Sequence, residues 1–339
     1  RALNEGESYD EVFTVQLADN DATDEGSDTV DVTITVTGTN DQPVPTVVPG
    51  ADTSVTEAGL SLVDNTTPIG DNTATGAYTV ADDDSNDTPA TALWSIVSVN
   101  GVAVETPTVA NGAPSAETGQ YGTLSLNDMG QWTYLIDDTE GGAADALDVE
   151  DSDTETFVIR VADGNGGFDE ATITVSVQGS NDGPVANVDA TTFVVLGDAG
   201  NVQVVDEDGP TLSIDVLAND TDVDGDDGPA NFSLDVIGTN SVTGLTVGTI
   251  DPGSFVINGS MLEFTPGAEF DELAPGDTAV VTVAYTMSDD SGAESSSTVT
   301  ITVTGSNDAP VIEVADPAFD DTETLAETDA ALLTTGRIV

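Results

Sequence analysis

Apolar residues recur at every second position in three pairs of short runs along the chain. The later run of each pair reads Val30, Val32, Ile34, Val36, then Ile173, Val175, Val177, then Val299, Ile301, Val303, with Thr, Asp or Ser between them. The earlier run reads Phe13, Val15, Leu17, then Phe157, Ile159, Val161, then Val283, Tyr285, Met287. A period of two sets one face on a core and the other in water, so each run predicts a strand. Turns rich in Gly and Asp join the runs, and each pair predicts an antiparallel hairpin. Two residues after each earlier run stands an acid: Asp19, Asp163 and Asp289.

Each hairpin is followed by one phrase in three versions: Gly38-Thr-Asn-Asp-Gln-Pro43, Gly179-Ser-Asn-Asp-Gly-Pro184 and Gly305-Ser-Asn-Asp-Ala-Pro310. The copies start 141 and 126 residues apart, too far for a solenoid repeat, so each period predicts a domain. Proline lacks the N–H that would extend a sheet, which places boundaries at Pro43, Pro184 and Pro310. The expected organisation is the end of one module in 1–43, complete modules in 44–184 and 185–310, and the start of another in 311–339. Both ends read as cut from a longer array.

Between the landmarks, the runs Gly122 to Leu126, Gln131 to Ile136 and Ser254 to Phe264 alternate with Gly, Asn and Asp turns, and no amphipathic helical stretch stands out. An all-β fold of tandem antiparallel sandwiches follows. Trp94 and Trp132 each sit inside a strand-like run and are expected in the cores rather than as sugar-stacking platforms.

Charge narrows the chemistry. Three Arg and 64 acids give a formal net charge of −61, with no Lys, His or Cys. Nucleic acid and anionic membranes, which are bound through basic patches, are therefore poor partners, and cations are natural ones. No apolar run of membrane-spanning length occurs, so insertion into a bilayer is not expected. Without His, Cys or Lys there is no imidazole base, thiol nucleophile or Schiff base, and no pair of acids is marked out for carboxylate catalysis, so no enzyme is expected. Disulfides and thiolate metal sites are excluded too, which leaves oxygen-ligated metal as the means of stiffening an extracellular chain.

Position turns acids into candidate ligands. In Asn219-Asp-Thr-Asp-Val-Asp-Gly-Asp-Asp227, Asp220, Asp222 and Asp224 alternate ahead of Gly225, as in the first half of an EF-hand loop, with Asp226 next in the series. Asn231 stands where the EF-hand needs a bidentate Glu, and Pro229 opposes a flanking helix, so the expectation is a calcium loop of another kind. Asp82, Asp84 and Asn86 form a looser counterpart in the preceding module. The boundary phrases contribute Asn40 with Asp41, Asn181 with Asp182, and Asn307 with Asp308, whose plainer role is an Asx turn before proline. The acids after the earlier strands (Asp19, Asp163, Asp289) and the early acids Glu57 and Glu207 are expected to converge on the same junctions.

The closing phrase, the Ala-Asp-Gly-Asn-Gly-Gly turn at 162–167, Tyr121-Gly-Thr-Leu-Ser-Leu and Gly130-Gln-Trp-Thr-Tyr resemble VCBS repeats, while 211–227 are similar to bacterial cadherin-like repeats. Glu327-Thr-Asp-Ala-Ala-Leu-Leu-Thr-Thr-Gly resembles a VCBS opening. The resemblance implies cadherin- or immunoglobulin-like sandwiches from a giant RTX-type surface adhesin or biofilm protein. It also implies that Asn40, Asp41 and their equivalents act as linker ligands, with Asp82–Asp84 and Asp222–Asp224 as acidic pairs. The sequence departs from that pattern in its longer acidic turn at 222–226 and its insertion near 100–120, and it lacks the glycine-rich RTX nonapeptide tandem.

These readings lead to an expected calcium-stiffened extender of a secreted, cell-surface adhesin, its modules lined up by several Ca2+ ions at their junctions. Two alternatives stand beside it. One is a self-assembling filament or surface layer joined head to tail by strand addition, and the other is a module that binds a glycan or a surface protein.

Overall fold

The structure, a computed structural model, describes residues 3–19, 23, 26–60, 67–84, 91–189 and 204–308. Asn86, Pro310 and the segment 311–339 lie outside these residues. The chain forms two compact units, one of Arg1–Asn187, Leu217–Ser233 and Met287–Ser296, the other of Val188–Val216, Leu234–Thr286 and Ser297–Val339. Every described element is a strand except one 3-10 turn at Pro252–Ser254.

The first unit opens with the hairpin of β1 (Ser8–Ala18) and β2 (Ser27–Thr37), paired antiparallel from Ser8↔Thr37 to Ala18↔Ser27. Its apolar face, which carries Phe13, Val15, Val32 and Ile34, is exposed.

The rest of that unit is a two-layer sandwich. One sheet runs in the order β10 (Ser115–Thr118), β11 (Gly122–Leu126), β12 (Gln131–Ile136), β6 (Thr73–Ala81) and β3 (Val44–Val47). The other runs β5 (Pro68–Asp71), β4 (Ser54–Leu60), β14 (Phe168–Gln178), β13 (Ser152–Ala162), β7 (Leu93–Val99) and β8 (Val102–Ala103), with β9 (Val109–Ala110) also on β7. Pairing is antiparallel except for β4 beside β14, where Val55 faces Val177. Alternation along each strand sends Leu124, Leu126, Trp132, Tyr134 and Ile136 from one sheet and Trp94, Ile96, Phe157, Ile159, Val161 and Val175 from the other into a shared core. Both tryptophans are core residues, as their place inside strand-like runs predicts. The insertion near 100–120 forms the short strands β8, β9 and β10.

In the second unit, β15 (Val204–Asp206), β21 (Glu294–Thr304), β20 (Thr278–Ser288) and β17 (Ser233–Thr243) make one sheet, and β16 (Leu212–Ile214), β19 (Met261–Phe264) and β18 (Phe255–Asn258) make the other. Again one parallel pair, β15 with β21, interrupts an antiparallel arrangement. Val281, Val283, Tyr285, Ile301 and Val303 are buried, with Phe264 packed between Phe255 and Phe270. The expected single run from Ser254 to Phe264 is instead the hairpin β18–β19. Gly259, at φ +64°, allows the tight reversal that splits it. All three hairpins predicted from alternation are present.

Candidate metal centre

In the first unit Glu57 sits on β4, whose inward positions are Val55, Glu57 and Gly59. A carboxylate therefore occupies a strand position where an apolar residue would ordinarily lie, and it is 0% exposed. Its Oε2 accepts the Ser180 backbone N–H at 2.9 Å and the Ser180 hydroxyl at 2.6 Å, while its Oε1 is buried with no partner. Gly59 lets the boundary phrase pass this close, because a Cβ there would fall 2.6 Å from the Asn181 carbonyl oxygen. Leu60 N–H donates to that same oxygen at 2.6 Å.

Around this anchor, the unit holds two groups of three acids whose oxygens lie within 4.8 Å of one another: Glu57, Asp145 and Asp182, and Asp222, Asp224 and Asp227. The Asp182 backbone N–H joins the groups by donating to Asp224 Oδ2 at 2.8 Å. Asn181 Nδ2 donates to Asp289 Oδ2 at 3.2 Å, and Asp289 Oδ1 accepts the Ala293 N–H that closes its turn. The buried oxygens Asn181 Oδ1, Asp182 Oδ2, Asp222 Oδ2, Asp224 Oδ1 and both of Asp227 have no partner.

Such a concentration of buried carboxylate is unfavourable in its charged form unless a cation or a proton neutralises it. Arg160, the sole base among the described residues, is engaged elsewhere: it pairs with Glu170 at 2.6 Å and stacks on Phe168. Burial, reinforced by neighbouring acids, lifts Glu57 to about 7, Asp182 to about 6, Asp224 to about 8 and Asp227 to about 7. Asp138, Asp148 and Asp222 are raised for the same first reason. A set of oxygen donors with orphaned carboxylate oxygens fits a hard divalent cation.

A second constellation in the same unit repeats part of this pattern. Asp41 N–H donates to Asp84 Oδ2 at 2.9 Å, Asp84 N–H to Asp82 Oδ1 at 2.9 Å, and Asn40 Nδ2 to Asp163 Oδ2 at 2.8 Å. Burial pushes Asp163 up, but the Asn40 amide and the N–H groups of Asn165, Gly166 and Gly167 outweigh it and hold the carboxyl below its ordinary range. Asn40 Oδ1 and Asp82 Oδ2 are buried without partners.

In the second unit, Glu207 plays the part of Glu57: its Oε1 accepts the Ser306 N–H at 2.6 Å and its Oε2 is buried and unpartnered. Asn307 Nδ2 donates to the Asp308 carbonyl at 3.3 Å.

Not every predicted ligand joins a cluster. Asp19 is exposed and accepts the Gly26 N–H. Asp220 is buried but turned to the Asn187 N–H at 2.6 Å, outside the triad. Asp226 is exposed, and its neighbour Asp227 completes the triad instead. Asp145, Asp227, Asp138 and Asp148 were not marked by sequence spacing.

Residues 181–302 match the family model of a bacterial Ig domain. Among solved structures the chain is similar to mouse cadherin-23 EC22-24 at 15% identity and TM-score 0.42, over 87% of this chain and 74% of that one. Protocadherin gamma B2 domains 1–5 align at 14% identity and TM-score 0.39, over 88% and 46% of the two chains. The human desmocollin-1 ectodomain aligns at 13% identity and TM-score 0.32, over 89% and 50%. This chain thus spans about half the length of those last two. No curated protein sequence matches it. The described fold is all-β and built of largely antiparallel sheets, and the family match gives residues 181–302 an immunoglobulin-like character.

Proposed function

We propose that this chain is a non-catalytic, calcium-binding extender segment of a larger extracellular surface protein, built as the modules 44–184 and 185–310 between partial modules 1–43 and 311–339. The observation that supports this most is the pair of acidic triads with buried, unpartnered oxygens in a unit whose one described base, Arg160, is engaged by Glu170. Glu57, Asp145, Asp182, Asp222, Asp224 and Asp227 would hold the ions, with Asn181 and Asp289 beside them. Asn40, Asp41, Asp82, Asp84 and Asp163 would form an equivalent set, and Glu207 with Asn307 and Asp308 part of a third. The ion supplies the counter-charge, and the chain supplies a cage assembled from segments far apart in sequence, so binding ties those segments together. An array built this way projects whatever tip it carries away from a cell surface. The resemblance to VCBS and bacterial cadherin-like repeats supports an adhesin or biofilm protein as the parent.

Calcium titration followed by thermal melting tests the binding, and X-ray scattering with and without chelator tests the stiffening. A rise in melting temperature that saturates on the order of 0.1 to 1 mM is expected of an extracellular module. A maximum dimension unchanged on chelation would refute the extender.

A further inference from the structure

The edge of the five-stranded sheet holds a cleft of about 560 Å3 that lies outside the acidic clusters. Here the chain after β3 bows away from β6. Val48 N–H donates to Ala77 O at 2.9 Å and Asp52 N–H to Thr75 O at 2.8 Å, and residues 49–51 arch between these two attachments. The cleft falls within the size range of small-ligand pockets. None of the thirteen residues that line it is ionisable, although the whole chain carries a net charge of −61.

Its lining has a definite chemistry. Ser125 on β11 pairs with Thr133 on β12, and Thr133 pairs with Thr75 on β6, so three hydroxyls form one row across one face of the sheet. Beside the row, Asn127 is fixed by three contacts: its Oδ1 accepts the N–H groups of Met129 and Gln131 at 3.0 and 2.9 Å, and its Nδ2 donates to Gln131 Oε1 at 2.9 Å. That last bond orients the Gln131 carboxamide before any ligand arrives, which lowers the ordering cost of binding. Pro49 and Pro114 supply apolar walls. Behind the row, on the core side, Gly76 lets the buried Trp132 indole pack against the sheet, since a Cβ would sit 2.5 Å from its ring.

We infer that this cleft binds a neutral polyhydroxylated ligand, a sugar residue of an uncharged glycan. A charged ligand would find no counter-charge in the lining, and an anion would also meet the repulsion of the surrounding chain. Hydroxyl and carboxamide groups both donate and accept, as sugar hydroxyls do, and the proline walls match the C–H faces of a pyranose ring.

The test uses the full chain and a panel of neutral mono- and disaccharides, including glucose, galactose, mannose and N-acetylglucosamine. Binding is read by calorimetry and by the amide resonances of labelled protein. At least one saccharide should bind saturably, shifting the Gln131 and Thr133 amide signals while leaving the amides of Leu262 and Phe264 in place. Combining Gln131→Ala with Thr133→Val should weaken that binding at least tenfold with melting temperature unchanged, because both side chains are exposed. Binding should persist in chelator, which separates this site from the calcium reading. The inference is overturned if no neutral saccharide binds, if the double variant binds as tightly as the parent, or if only anionic sugars bind.

Discussion

The backbone N–H of Asp182 donates to Asp224 Oδ2 at 2.8 Å, and the same bond recurs between Asp41 and Asp84 at 2.9 Å. In both places a boundary phrase reaches the second acid of an Asp-x-Asp loop, whose first acid in turn accepts that residue's N–H. Asp224 is thus used twice, as a structural acceptor through one oxygen and as an orphaned candidate ligand through the other.

Asp224→Asn should therefore act in opposite directions with and without metal. In chelator the variant removes a carboxylate whose ionisation is opposed by burial, and its melting temperature should equal or exceed that of the parent at pH 8. In calcium the parent should gain about 2.7 kcal/mol at one hundred times its dissociation constant, a shift of several degrees, and the variant should lose at least half of that gain. Equal calcium-induced shifts in the two proteins would remove Asp224 from the site.

The pH dependence has a definite sign. Glu57, Asp182, Asp224 and Asp227 titrate near 7, 6, 8 and 7 in the folded, metal-free chain, against ordinary carboxylate values near 4. Across that window the folded state binds more protons than the unfolded one, so metal-free stability is greatest at the acid end and declines as pH rises from about 4 to 8. Calcium needs deprotonated ligands, so its stabilising increment should grow over the same window. Melts at pH 5 and pH 8, each in chelator and in calcium, check both slopes. A chelated protein more stable at pH 8 than at pH 5 would contradict the assignment.

Asp145 offers a test of a candidate ligand that local spacing does not reveal. It belongs to the triad with Glu57 and Asp182 and is 8% exposed. Asp145→Ala should lower calcium affinity by about tenfold or more, since it takes a carboxylate from the cage, whereas the exposed Asp226→Ala should change it little. Isothermal titration of the two variants side by side decides whether the triad or the alternating series 220, 222, 224, 226 describes the loop.

Why the sequence disclosed one set of candidate ligands and concealed the other is a matter of range. Hairpins and boundary phrases obey local rules, period two and proline punctuation, and they place Asn40, Asp163, Asn181 and Asp289 in repeats that can be aligned by eye. The contacts Asn40–Asp163 and Asn181–Asp289 each join one hairpin's closing phrase to the turn of the next hairpin, 123 and 108 positions away, and the repetition of both landmarks is what pairs them. Asp145 comes close to Glu57 only through the tertiary fold, and among 64 acids no local spacing distinguishes it. One signal was present: Asp145-Ala-Leu147 and Asp271-Glu-Leu273 stand at the same distance ahead of β13 and β20. The alternating series points to Asp226 and not Asp227 because it carries the alternation through the turn at Gly225, where Asp226 is exposed and Asp227 joins the triad. Nothing in the spacing of polar residues announced the cleft beside Gly76, which depends on residues 49–51 leaving the sheet edge.

A second buried carboxylate shows how the same sandwich handles an acid without metal. Glu155 on β13 is fully buried and accepts the Tyr134 hydroxyl at 2.7 Å, Asn100 Nδ2 at 3.1 Å and the Gln120 N–H. Asn100 holds a left-handed conformation, φ +47°, in the β7–β8 turn, and its Oδ1 accepts the Thr156 N–H at 2.8 Å. Loop, turn and both sheets therefore meet on one side chain, and the position that corresponds to it on β20 is the apolar Val281. Tyr134→Phe removes a single donor while keeping the ring against Phe157, so the change isolates the hydrogen bond to the acid. Leaving that carboxylate one bond short should cost about 1 to 3 kcal/mol and lower the melting temperature by several degrees. Tyr121→Phe, whose hydroxyl reaches the exposed Asp153, should cost less. The calcium-induced shift should survive in both variants, because neither tyrosine belongs to an acidic triad. Thermal melts in chelator and in calcium measure both quantities, and a Tyr134→Phe protein as stable as the parent would show that the Glu155 network contributes nothing to folding.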